Sequence, residues 1–249
     1  MSFNILALAE ESIAENLIQT SELSNFDKSF SLGFGGEYFR IDGLDPVTKQ
    51  TAMILSTYSP YMDIGFLFEW YKINILSFNM RVEQYTFQGL NDGQTYTNQY
   101  GTIQKYSLKL INRLTDEIMF GIGIDYDQEL FFHAVTGTQL YTDRIPIIKP
   151  GLNLGLQILE LENFGLYISG EAAFTTPSTK LFYSIESGSQ LGIIGKLQYY
   201  YIKKPEIDLP KKNILELVCS YYYQKQFATI SSRVVHSLGL GINLIWQIN

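Results

Sequence analysis

A strict alternation of apolar and polar residues is the feature that most constrains the fold of this 249-residue chain. In residues 149–159, for example, Leu152, Leu154 and Leu156 alternate with polar or small residues. Side chains on a β-strand point to opposite faces with a period of two residues, whereas an amphipathic helix repeats every three to four. The pattern therefore predicts a strand whose two faces meet different surroundings.

The same alternation recurs along most of the chain and predicts about ten strands. It fills residues 29–39, 61–71, 75–85, 103–113, 117–127, 149–159, 164–174, 184–201, 213–223 and 234–248. Short connections follow the second, fourth and sixth segments, and longer polar ones, such as residues 128–144, follow the first, third and fifth. The apolar runs are too short for a transmembrane helix, which needs about 18 residues. These features predict an all-β chain of antiparallel hairpins.

The composition of the two faces indicates that the polar face points into a narrow barrel. Glycine weakens a strand, yet the polar face carries many glycines, among them Gly33, Gly65, Gly121 and Gly155. Small residues suit a lumen that is crowded by other side chains. The large apolar side chains of about ten strands would also exceed the interior volume of such a barrel. The alternative is a soluble β-sandwich or ligand-binding barrel, with the apolar face inside.

Aromatic residues of the apolar face cluster at both ends of the predicted strands. Near the short turns they are Trp70, Phe164, Tyr199 and Trp246, and near the long loops they are Tyr38, Tyr126, Phe174 and Tyr221. Amphipathic aromatic rings are enriched at both membrane–water interfaces. We therefore expect these eight residues to form two girdles that bracket an aliphatic, lipid-facing band.

Over residues 28–249 the sequence resembles the outer-membrane β-barrel class of Gram-negative bacteria. The C-terminal segment 239-GLGINLIWQIN-249 is similar to the assembly signal of such barrels, although three residues follow Trp246. The resemblance implies a transmembrane antiparallel up-and-down β-barrel of about ten strands, located in the outer membrane and surrounded by its lipid. The even number of strands and the short turns after even-numbered strands predict that both ends of the chain lie on the periplasmic side.

Residues 1–27 form a separate segment in this prediction. Leu6, Ala9, Ile13 and Leu17 recur at helical spacing, which indicates a short amphipathic helix followed by a linker. A barrel needs no such helix, and a crowded lumen has little room for one. We expect the helix to lie at the periplasmic rim or to lead to a periplasmic domain or partner, in preference to plugging the lumen.

Charged side chains of the polar face are expected to point into the lumen. They are Glu37, Glu69, Arg81, Glu83, Lys105, Lys109, Arg113, Asp125, Asp127 and Glu171. Because unpaired charges in a narrow lumen are costly, we expect a network of ion pairs that closes the lumen or, alternatively, a charged constriction that sets ion selectivity. Centring the hairpin of residues 103–127 on Thr115 places Lys105 opposite Asp125.

The sequence favours a non-enzymatic barrel, either a narrow pore for small solutes or a membrane anchor for a periplasmic or surface partner. A formal net charge of −7 argues against a nucleic-acid partner, and no cofactor or metal motif is present. The alternative is a hydrolase using rim carboxylates. Omptin proteases use an Asp pair and an Asp–His pair, which Asp125, Asp127 and His133 match only in part. A lipid-modifying barrel could use Ser237 and His236, but adjacent strand residues point to opposite faces.

We expect the purified protein to require detergent and to migrate differently on a detergent gel before and after heating, because a closed barrel resists unfolding by detergent. Its circular dichroism in micelles should be of the β type. A monomer that stays soluble and monodisperse without detergent would contradict the membrane barrel.

Overall fold

The computed structural model shows a closed antiparallel β-barrel. It describes residues 27–44, 51–70, 74–87, 95–97, 100–136, 139–180, 183–202, 212–228 and 232–248. The helix expected around Leu6 to Leu17 lies outside the described residues. Within the described ranges no helix is long and apolar enough to cross a membrane.

Thirteen strands are present in these ranges. They are β1 (Asp27–Leu44), β2 (Thr51–Leu55), β3 (Ser59–Trp70), β4 (Asn74–Thr86), β5 (Thr95–Thr97), β6 (Tyr100–Arg113), β7 (Ile118–Thr136), β8 (Gln139–Glu160), β9 (Phe164–Thr175), β10 (Ser178–Lys180), β11 (Tyr183–Ile202), β12 (Lys212–Ala228) and β13 (Ser232–Ile248). All except the short β2, β5 and β10 form the wall, in chain order, and β13 pairs with β1 to close it. The predicted ten-stranded barrel is confirmed.

The barrel has two distinct rims. The turns at residues 114–117 and 161–163 lie at one of them, the short-turn rim, together with Asp27 and Ile248. The opposite rim, where β1 ends at Leu44, is called the long-loop rim. Cross-strand partners can be followed from one strand to the next around the whole barrel. A path that starts at Trp246 on β13 comes back to β13 at Val234, twelve residues away along the strand. This stagger tilts the strands, typically by about 35–45° from the barrel axis.

Two details of the wall differ from the sequence prediction. Residues 128–144, expected to be a long loop, belong mostly to β7 and β8, which continue the alternation toward the long-loop rim. The turn between β6 and β7 also shifts their register, since Lys105 pairs with Asp127 and not with Asp125. The hairpin is therefore centred on Asp116, one residue later than predicted. Within this turn, Thr115 Oγ1 accepts hydrogen bonds from the backbone N–H of Glu117 at 3.2 Å and of Ile118 at 3.0 Å.

The apolar face of the wall points outward. Leu152, Leu154 and Leu156 are 41–51% exposed, whereas Glu37 and Glu83, on the other face, are 3% and 0% exposed. Contiguous apolar surface of this extent is unfavourable in water and suits a lipid surrounding. Apolar residues that favour strands therefore occupy the outward-facing positions of the wall, and polar residues occupy the inward-facing positions.

The eight predicted girdle residues occupy positions of the outward-facing series. Phe164 and Tyr199 are cross-strand partners with ring centroids 5.1 Å apart, and Trp246 stacks on Phe30 at 5.8 Å near the short-turn rim. Toward the long-loop rim, Tyr38 is 51% exposed and packs against Tyr58 at 5.4 Å. Phe174 lies one residue from the end of β9 and Trp70 ends β3, whereas Tyr126 and Tyr221 lie near the middle of β7 and β12, because these strands continue further toward the long-loop rim than predicted. Their role as membrane-interface girdles stays a prediction.

Inward-facing glycines make room for large side chains inside the barrel. A Cβ atom at Gly192 would meet the ring of Tyr222, which lies in the lumen, whereas a Cβ at the outward-facing Gly170 would meet nothing within 4 Å. Gly192 and Gly170 lie next to each other across the β9–β11 ladder, because Gly170 pairs with Ile193. They form a matched pair for testing the effect of lumen crowding.

We expect Gly192→Val to lower the free energy of unfolding by about 1–3 kcal/mol, since it overpacks the lumen. Gly170→Val should leave it unchanged or raise it, because valine favours strands and its side chain meets open space. Urea unfolding of the refolded variants in lipid vesicles measures both. Equal effects of the two substitutions would contradict the inward crowding.

Candidate functional site

A cavity of about 660 Å³ occupies the lumen. Its lining runs from Asp27 and Arg113 at the short-turn rim to Leu130 and Arg233 near the long-loop rim. Nine of the ten lumen charges expected from the sequence line this cavity. The tenth, Glu83, is fully buried behind them. The site is therefore a charged lumen, to which all ten wall strands contribute lining residues.

The first charge cluster lies on the wall formed by β1, β3, β4 and β6. Arg81 holds Asp63 with two hydrogen bonds, from Nε at 2.7 Å and from Nη2 at 2.9 Å. Its Nη1 lies 3.5 Å from the carboxylate of Glu37. Lys105 bridges the same Glu37, at 3.2 Å, and Glu83, at 2.9 Å. Two bases thus serve three buried acids, which keeps every carboxylate of the cluster in contact with a cation.

A second set of contacts crosses the lumen. Lys109 on β6 forms an ion pair with Glu171 on β9, three strands away around the wall. Asn153 donates to the same carboxylate at 3.1 Å, and the hydroxyl of Tyr222 on β12 lies 3.5 Å from it. Side chains from four strands therefore meet at Glu171 in the middle of the lumen.

The third set, called the Glu129 cluster, lies nearest the long-loop rim. It consists of Glu129 with Lys149, Gln224, Gln226 and Arg233. One carboxylate oxygen of Glu129 accepts from Lys149 and Gln224, and the other accepts from Gln226 and, at 3.0 Å, from Arg233. All five residues are buried. Both oxygens of the acid are thus fully used.

The Glu129 cluster joins opposite walls of the barrel. Glu129 lies on β7 and Arg233 on β13, and in the ten-stranded ring these two strands are separated by the same number of strands in either direction. Arg233 also donates to the backbone carbonyl of Leu130. Lys149 on β8 extends the cluster through Asp127, at 2.7 Å, and Gln190, at 2.8 Å. The lumen is spanned at this level by direct hydrogen bonds.

The partners of the predicted network differ from those expected from the sequence. Lys105 does not pair with Asp125 but with acids on β1 and β4. Asp127 contacts Lys149, and Arg113 lies 4.0 Å from Glu69 in a loose pair near the short-turn rim. Sequence reasoning missed the Glu129 cluster. The continued alternation of acids at 125, 127 and 129 was the available signal, because it places Glu129 on the lumen side.

The residues considered for hydrolysis are separated in the structure. Ser237 points inward and donates to Glu37, whereas the ring of His236 lies on the outer surface, with Nδ1 2.8 Å from the hydroxyl of Tyr221. The side chain of His133 lies outside the described residues. Among the described residues, no group of three or more His, Cys, Asp or Glu side chains is arranged to hold a metal ion.

We expect Lys149→Met to lower the free energy of unfolding by about 3–5 kcal/mol, because Glu129 and Asp127 would lose a buried cation that is only 2% exposed. Arg113→Met removes the same charge from a loose, partly exposed pair and should change it by no more than about 1 kcal/mol. Chemical unfolding in vesicles compares the two variants. Similar losses would show that burial of the Glu129 cluster does not determine its contribution.

The architecture is similar to that of solved outer-membrane proteins. No protein-family model matches the sequence, and no curated protein matches it. Among solved structures, the chain is similar to the outer membrane protease OmpT from Escherichia coli, with a TM-score of 0.50 and 8% identity over 91% of this chain and 97% of that one. An outer membrane channel from Pseudomonas putida F1 gives a TM-score of 0.46 and 10% identity over 89% and 96%. The β domain of the Bordetella autotransporter BrkA gives 0.43 and 9% over 90% and 100%. At such identities the similarity concerns the fold alone, and this chain has the fold of an outer-membrane β-barrel.

Proposed function

We propose that this protein is a non-enzymatic barrel of the outer membrane, closed at the long-loop rim, that serves as a membrane anchor for a periplasmic or surface partner. The observation that carries the proposal is the Glu129 cluster, which ties β7 and β8 to β12 and β13 across the lumen. A narrow pore for small solutes is the function from which it must be distinguished.

Passage through the Glu129 cluster would be energetically costly. A hydrated ion would have to separate Glu129 from Arg233 and Lys149, and breaking a buried pair costs about 3–5 kcal/mol. Beside the cluster, Ile145 pairs with Glu129, and Phe131 lies one inward position further toward the long-loop rim; both belong to a buried apolar group and do not line the cavity. These contacts therefore support a cavity that is closed toward the long-loop rim and accessible from the short-turn rim. They favour it over a continuous channel.

The anchor role rests on the arrangement of the barrel ends. Asp27 and Ile248 both lie at the short-turn rim, which in outer-membrane barrels faces the periplasm. The 26 residues before Asp27 join the barrel on that side. A barrel closed at the other rim would hold such a segment, and whatever binds it, at the inner surface of the outer membrane.

In planar bilayers we expect the unmodified protein to show no steady openings, and the double substitution Glu129→Ala with Arg233→Ala to produce them. Removing both charges breaks the contact across the long-loop end of the lumen and leaves neither partner of the Glu129–Arg233 pair as an unpaired charge. The matched control, Glu69→Ala with Arg113→Ala, removes one acid and one base at the short-turn rim and should stay silent. Steady cation-favouring openings of the unmodified protein would contradict closure and identify a narrow pore.

The non-enzymatic part of the proposal has its own contrary result. Hydrolysis of a peptide or lipid substrate by the folded barrel would contradict it if Asp125→Asn abolished that hydrolysis. The variant must keep the heat-dependent migration of the folded barrel, so that lost activity is not lost folding.

A further inference from the structure

We propose that the outer surface of β12, β13 and β1 near the long-loop rim binds the phosphorylated headgroup of lipid A. This surface, called the headgroup patch, consists of Tyr38, Arg40, Tyr221, Tyr223, Lys225 and His236. The inference deepens the proposed function, on which it rests for the membrane and the orientation. It concerns the outside of the wall, whereas the anchor proposal concerns the closed lumen.

The strand registers bring the patch together as three neighbouring rows. From the lipid side toward the rim, the rows are Tyr221–Leu238–Tyr38, Tyr223–His236–Arg40 and Lys225–Val234–Asp42. Directly paired residues on neighbouring strands lie about 4.5–5.5 Å apart, so the six patch residues share one continuous surface. The next outward residue on β13, Leu240, is 56% exposed and begins the aliphatic band. The patch thus lies at the level where lipid headgroups meet acyl chains.

His236 has a fixed orientation at the centre of this surface. Its Nδ1 lies 2.8 Å from the hydroxyl of Tyr221, and Tyr223 packs edge-on against its ring at 5.3 Å. With Nδ1 engaged toward Tyr221, the other ring nitrogen, Nε2, is the one available to a ligand. Tyrosine rings suit the interface, where their apolar bodies meet lipid and their hydroxyls meet polar groups.

The two bases of the patch give it the chemistry of a phosphate site. Arg40 contacts Asp42 through Nε at 2.8 Å, and its side chain is 53% exposed. A guanidinium can engage one anion through Nε and another through its η nitrogens, and its planar donors match phosphate oxygens. Lys225 projects from β12, two strands from Arg40 or about 10 Å at the usual strand spacing. Two separated cations suit a headgroup with two phosphates, as lipid A has.

Charge at the two rims favours the outer leaflet as the source of this lipid. Around the short-turn rim the exposed turn residues Asp116, Glu117 and Glu162 are acidic. The headgroup patch, at the opposite rim, carries two bases and a histidine, and Asp42, which pairs with Arg40, is the acid within its three rows. Long-loop rims of outer-membrane barrels face the exterior, where the leaflet is built from lipid A. Phospholipid headgroups with one phosphate would engage only one of the two bases.

The test is native mass spectrometry of the refolded full-length protein with lipid A, phosphatidylglycerol and phosphatidylcholine. We expect lipid A to bind more tightly than either phospholipid, and Arg40→Gln to weaken it about tenfold, the loss of one charge-assisted contact. Lys225→Gln should weaken it similarly. The matched control is Lys28→Gln, which removes one exposed base from the short-turn rim.

Unchanged lipid A binding by Arg40→Gln and Lys225→Gln would overturn the inference, as would equal binding of lipid A and phosphatidylglycerol. Heat-dependent migration of each variant shows that the barrel is folded. Bilayer recordings on the same preparations separate this inference from the anchor proposal. If the barrel is silent and shows no preference for lipid A, only the lipid A inference is contradicted. If it shows steady openings and still prefers lipid A, only the closed-anchor proposal is contradicted.

Discussion

Closure of the hydrogen-bond ring is the constraint on which the rest of this structure depends. A strand surrounded by lipid has no water to bond its backbone N–H and C=O groups, so every strand needs two neighbours and the sheet must close on itself. Pairing of β1 with β13 over residues 28–43 and 233–248 meets this requirement. Once the sheet is closed, the alternation leaves one place for polar side chains, which is the lumen.

The closed lumen creates an electrostatic problem that the side chains solve jointly. A ten-stranded barrel is too narrow for bulk water to screen charges well, so each carboxylate needs a cation within reach. Glu37 is reached by two bases, Glu171 by one base and two neutral donors, and Glu129 by two bases and two glutamines. Inward glycines such as Gly192 leave room for these long side chains to meet.

The sequence predicts the strands and their faces well because a two-residue period is a local property. It fails where long-range geometry decides. Lys105 pairs with Glu37 and Glu83 on strands outside its own hairpin, and that hairpin is centred one residue later than the alternation predicts. Contacts across the lumen depend on the number of strands and on their stagger. No local pattern specifies these quantities.

The position of Glu129 and Arg233 on opposite strands has a consequence for how the barrel is assembled. Arg233 belongs to the last strand, so it reaches Glu129 only when β13 has joined β1. Until then Glu129, on a central strand of the open sheet, lacks one of its cations and must stay hydrated. Water can leave the long-loop end of the lumen only when the ring closes. The drying of this end is therefore a late event in the folding of the barrel.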